Sequence, residues 1–200
     1  MTVLYFVAKC ICWFINIFVF FLKVDNKKNL KNKGKVLVVS NHVSVWDPLL
    51  LGGAYRRQVN YIAKAELFKS KVFGFLLGRV GAFPVQRGQG DYAALKKSFE
   101  ILKADRCLGI FPEGTRIEGQ IGEFQKGAAA IALKMDAPII PTYIHGDYSL
   151  FKQMRLVLGD PINLRDMVNP KDKDAAEKGT EILRDIIMKL REKTIKEEKK

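Results

Sequence analysis

Residues 35–47 read Lys-Val-Leu-Val-Val-Ser-Asn-His-Val-Ser-Val-Trp-Asp, and the fold follows from how this stretch divides. Lys35–Ser40 is rich in valine and apolar almost without a break, the signature of a short buried strand. Asp47 and Pro48 then open a helix over Leu-Leu-Leu-Gly-Gly-Ala-Tyr, with proline in the first turn, where its missing N–H costs nothing. The same alternation continues outward. Val59–Ala63, Gly81–Val85, Cys107–Phe111, Ile139–Ile144 and Met154–Leu158 read as strands. Between them, Val72–Val80, Asp91–Lys103 and Phe124–Met135 read as helices. The second places Leu95, Phe99 and Leu102 on one face. Ile182, Leu183, Ile186, Ile187 and Leu190 mark a final amphipathic helix. Strands separated by helices predict an α/β layered domain over residues 35–200, with a mixed, mostly parallel β-sheet flanked by helices.

The chain has 200 residues, one domain's worth, with 48% hydrophobic and 28% charged side chains, which excludes a disordered tail and a multi-span membrane protein. Its formal net charge of +13 is spread along the body rather than confined to a tail, so anionic partners are expected. Three cysteines exclude a disulfide scaffold, and with Cys10 and Cys12 in an apolar run and Cys107 alone they assemble no zinc site. Val3–Leu22 carries a single charge, Lys9, over a length that suits a bilayer core of ~30 Å. It has neither a basic start nor a small-residue cleavage site, so residues 1–24 are expected to be a retained membrane anchor that spans the bilayer or lies in its interface, with a buried core helix as the alternative. Lys23, Lys27, Lys28, Lys31, Lys33 and Lys35 follow, making residues 25–34 a basic linker and placing the domain on the cytoplasmic face.

In open α/β sheets functional loops gather at the carboxyl ends of strands. Here those loops carry Asn41-His42, Gln86-Arg87 and Pro112-Glu113-Gly114-Thr115-Arg116. A tight turn before the helix beginning at Asp47 brings its carboxylate back to His42. The pair is then an imidazole oriented as a base, or a satisfied loop histidine beside a helix cap. Arg87 and Arg116 offer fixed donor forks suited to a phosphate, with surface ion pairing as the alternative.

Four blocks together resemble the 1-acylglycerol-3-phosphate acyltransferases of the glycerolipid acyltransferase family. They are Asn41–Asp47, Gly81–Arg87 preceded by Lys64-Ala65-Glu66-Leu67, Phe111–Arg116, and Ala137–Pro141. They stand in the family's order and span about residues 35–160. The resemblance implies that His42 is the general base, that Asp47 orients it, and that Arg87 and Arg116 bind the acceptor's phosphate. It places Glu113, Gly114 and Thr115 in the acceptor-binding block. The implied acceptor is lysophosphatidic acid, and the implied donor is acyl-CoA or acyl-carrier protein. No metal or cofactor is implied, because the thioester is already activated. Anionic membrane lipids are expected partners and nucleic acid is not. Glycerol-3-phosphate, another lysophospholipid or a lipid A precursor are the alternative acceptors.

Other readings are weaker. Gly88–Ala93 matches G-x-G-x-x-A but falls at the third strand, without the acidic residue a dinucleotide site needs. A serine hydrolase would use Ser44 or Ser40, yet no G-x-S-x-G elbow exists. His145-Gly146-Asp147 reads as a polar turn. A basic, membrane-tethered binding module has only the net charge in its favour.

Overall fold

The computed structural model describes residues 3–86, 91–116 and 120–199. Its elements are α1 (Val3–Phe18), β1 (Lys23–Asp25), β2 (Val36–Ser40), α2 (Asp47–Ala54), β3 (Val59–Lys64), α3 (Lys71–Arg79) and β4 (Ala82–Val85). Then follow α4 (Tyr92–Lys103), β5 (Cys107–Ile110), α5 (Gly127–Met135), β6 (Ile139–His145), β7 (Arg155–Leu158) and α6 (Ala175–Glu198). The seven strands form one sheet in the order β1-β7-β6-β2-β5-β3-β4, and only β6 and β7 pair antiparallel. The expected mixed, mostly parallel sheet is present, with helices on both faces.

Consecutive residues of β2 serve opposite faces. Leu37 and Val39 join a core formed with Ile101 and Leu102 of α4, Ala129 and Ala132 of α5, and Leu183 and Ile187 of α6. Val36 and Val38 join a second core with Phe20 and with Leu50, Leu51 and Tyr55 at α2. A strand covered on both sides needs apolar residues at every position, hence the unbroken valine run. β2 lies between β5 and β6 and is parallel to both, so the loops leaving these three strands emerge at one edge of the sheet.

The apolar run Val3–Leu22 does not form one helix: α1 ends at Phe18, and among the described residues no helix is long and apolar enough to cross a membrane. Phe20 turns inward and is buried. Its carbonyl accepts from Met154 N at 2.8 Å, and Lys23–Asp25 then extends the sheet beside β7. The expected basic linker 25–34 contains the end of β1 and a 3-10 turn, Lys27–Lys31, where Asn29 Nδ2 donates to Gly159 O at 2.8 Å. α1 docks on the domain. Asn16 Nδ2 donates to Leu50 O at 2.9 Å, and Tyr5 Oη accepts from Val59 N at 3.2 Å.

Candidate active site

β2 ends in Ser40, and the next residue fixes the loop. Asn41 is buried and clamps β6, donating to Ile144 O at 3.0 Å and accepting from Ile144 N at 2.8 Å. This two-way amide bond sets where the chain departs, and His42 is the first residue beyond it. Asp47 opens α2, and the turn between them is wound around its carboxylate. Oδ2 accepts from His42 Nδ1 at 2.7 Å, Val43 N at 2.7 Å and Ser44 N at 2.9 Å, while Oδ1 accepts from Tyr148 Oη at 2.7 Å. The Asp47 side chain is 0% exposed and that of His42 only 14%. Four donors thus converge on this buried side chain at a helix N-terminus. The carboxylate can only accept, so His42 Nδ1 carries the proton and Nε2 keeps its lone pair. The turn brings the Asp47 carboxylate to the ring, as the spacing predicts, and caps the start of α2 with the same oxygen.

The ring of His42 stacks on Phe111, with centroids 4.3 Å apart, and Tyr61 lies beyond, 6.2 Å from Phe111. These aromatics form a wall on the β5 and β3 side of the base. Glu113 enters from the loop after β5. Its Oε2 accepts from His42 N at 3.4 Å, and its Oε1 is buried without a hydrogen-bond partner among the described residues. Burial, reinforced by the nearby Asp47 charge, pushes this carboxyl up to about 7, against the opposing hydrogen bonds from the His42 and Gly122 backbones. Gly114 closes the turn with φ 68°, a conformation that favours glycine, and a β-carbon there would lie 2.5 Å from Gln125 Nε2. Thr115 and Arg116 are exposed beyond it.

The fold thus brings together His42, Asp47 and Glu113, with Gly114 shaping the loop that carries Thr115 and Arg116 outward. Arg87 lies outside the described residues, as do Gly88, Gln89 and Gly90 of the glycine-rich match. Asp91, the next residue of that match, caps α4 instead, accepting from Ala94 N at 2.9 Å and Gln86 N at 2.7 Å. Ser44 contributes its backbone to Asp47, and its hydroxyl accepts from Trp46 N at 3.3 Å. Asp147 binds Ser149 N and Lys152 in a turn, and His145 pairs with Glu198 at 2.7 Å. Sequence reasoning missed Tyr148, which follows that turn and reaches Asp47 from 101 residues away. No spacing rule signals such a contact.

A family model described as Acyltransferase matches residues 21–145, more than half of the chain. The chain belongs to this acyltransferase family. It is 34% identical over 178 residues to the 1-acyl-sn-glycerol-3-phosphate acyltransferase of Bacillus subtilis, covering 86% of this chain and 89% of that relative. It is 31% identical to the protein of the same name from Streptococcus pneumoniae, over 68% of this chain and 53% of the relative. The crystal structure of the 1-acyl-sn-glycerophosphate (LPA) acyltransferase PlsC from Thermotoga maritima shares the fold. Its TM-score is 0.69 at 23% identity, covering 94% of this chain and 78% of that one.

Proposed function

We propose that this acyltransferase moves an acyl group from the thioester of acyl-CoA or acyl-carrier protein to the sn-2 hydroxyl of 1-acyl-sn-glycerol-3-phosphate, giving phosphatidic acid. One observation carries the reading. A histidine is held by a buried aspartate through Nδ1, with Nε2 free to accept, in the Asn-His-x₄-Asp block of an acyltransferase whose relatives bear that name. His42 Nε2 takes the proton of the acceptor hydroxyl, and the oxygen attacks the thioester carbonyl. The tetrahedral intermediate collapses with cleavage of the carbon–sulfur bond, and the departing thiolate receives the proton from His42. Asp47 holds the ring in one tautomer and stabilises the imidazolium formed in between. General-base assistance of this kind contributes about 10²–10⁴ in rate. The thioester is already activated, so the reaction calls for no metal or cofactor.

The acceptor is an anionic lipid, and the exposed guanidinium of Arg116, with Arg87, supplies donors for its phosphate. The buried, unpartnered Oε1 of Glu113 offers an acceptor to a substrate hydroxyl beside His42. We place the enzyme at the cytoplasmic surface of a membrane, lying on the lipid through α1 rather than spanning it. Phe6, Ile11, Trp13, Phe14 and Phe18 are about half exposed on α1, and Val45 and Trp46 are exposed beside the His42 loop. Such a surface suits the acyl–headgroup boundary, with the surrounding lysines on anionic headgroups. The test is incubation with 1-acylglycerol-3-phosphate and a labelled acyl-CoA or acyl-carrier protein. The reading predicts phosphatidic acid labelled at the position that a phospholipase A2 releases. Label in free fatty acid alone contradicts it.

A further inference from the structure

We propose that Tyr148 is a positioning residue of the acyl transfer, acting through Asp47 to set the proton affinity of His42. The inference deepens the reading of His42 as general base and rests on it. Tyr148 follows β6 and directs its hydroxyl to Asp47 Oδ1 at 2.7 Å, the one carboxylate oxygen that the His42 turn leaves unengaged. Its ring is fixed edge-on against Phe20, with centroids 5.1 Å apart and planes at 87°. Phe20 is itself buried, and its segment is bonded to the β6–β7 connection from both sides. Phe151 N donates to Val19 O at 3.0 Å, Met154 N to Phe20 O at 2.8 Å, and Lys23 N to Met154 O at 2.9 Å. The N-terminal segment thereby holds the loop that holds the tyrosine that holds the aspartate. Burial and the Asp47 charge both push the phenol far above its usual range, so it stays a donor throughout the working pH.

A donor on Oδ1 withdraws charge from the carboxylate and weakens the field at the imidazole. Removing it makes Asp47 the stronger acceptor and favours His42 in its protonated form, which cannot act as a base. The groups that face His42 are Asp47 from α2 and Glu113 from the loop after β5, while Asn41 beside it is neutral. Both carboxylates are still present in Tyr148→Phe, and only Asp47 loses a donor, so the change at His42 is the one passed on through Asp47.

Tyr148→Phe keeps the ring on Phe20 and deletes only the donor. The chain has two histidines, so the His42 ring can be followed by NMR, with His145 as internal control. In Tyr148→Phe the titration of the His42 ring moves up by about half to one pH unit, and His145 does not move. The acid limb of kcat/KM for acceptor-dependent thiol release from acyl-CoA moves by the same amount. On the acid limb kcat falls by about 3- to 10-fold, with KM for 1-acylglycerol-3-phosphate within about twofold. A His42 titration and acid limb that stay in place, whatever happens to the rate, overturn the proposal and leave Tyr148 a packing residue. Wild-type protein that releases no thiol while the His42 titration still shifts overturns the acyl-transfer reading and supports the coupling.

Discussion

Glu113 Oε2 lies 3.4 Å from the backbone nitrogen of His42, and the other oxygen of the same carboxylate is buried with no partner among the described residues. A group so placed costs stability whenever it is charged. Its carboxyl is raised from the usual 4.5 to about 7 in the fold. Below about pH 4.5 both folded and unfolded chains hold the proton, and the residue contributes nothing. As pH rises toward 7 the unfolded chain loses its proton first, so stability falls, and the full cost stands above that range.

Glu113→Gln should therefore stabilise the protein by about 1–3 kcal/mol at pH 8 and leave it nearly unchanged at pH 4. The same variant should lose activity, since glutamine removes the carboxylate's charge and puts an N–H donor in place of one acceptor oxygen. Denaturant titrations at the two pH values check the first part. A gain that is equal at both, or larger at pH 4, contradicts this account of Glu113. A site residue that destabilises its own fold is the expected signature of function held at a cost in stability.

Gly53 tests the docking of α1. A β-carbon there would lie 2.9 Å from the carbonyl carbon of Cys12 and 3.0 Å from the nitrogen of Trp13. Both are backbone atoms, which cannot swing aside. Gly53→Ala should destabilise the domain by about 1–3 kcal/mol, although alanine is the better helix former. If α1 were a separate anchor, the substitution would instead be neutral or stabilising in a thermal melt.

The exposed aromatic face of α1 makes a third prediction. Trp13→Ser with Phe14→Ser should weaken flotation with vesicles containing anionic phospholipid by at least about 10-fold. The fold and the turnover of detergent-dispersed acceptor should be unchanged. Flotation that persists in full would remove α1 as the lipid-facing surface.

The sheet was legible because its inner strands are apolar runs that no helix of the same length would carry, and each predicted strand falls within a residue or two of its place. β1 was not legible. Lys23-Val24-Asp25 is three residues long, and its pairing depends on residues 155–157, which no local pattern announces. Where the apolar run before it divides is not legible for a related reason. Composition measures how greasy Val3–Leu22 is, but not that Phe20 turns inward onto Tyr148 and Met154. The helix expected from Phe124 begins at Gly127, and the last helix runs well past its apolar core in both directions. In the site, His42 and Asp47 were readable because the four residues between them suffice for the turn that joins them. Glu113 was readable only as a member of its loop, and Tyr148 not at all, because its contact is created by the register of β6 on β2.

The central claim is that His42 is the base that activates the acceptor. It is tested most directly by following thiol release from a long-chain acyl-CoA with and without 1-acylglycerol-3-phosphate, in wild type and in His42→Ala. Release should depend on the acceptor in wild type and fall by about 10²–10⁴ in the variant, with the melting transition retained. Acceptor-dependent release that survives in His42→Ala would contradict the account.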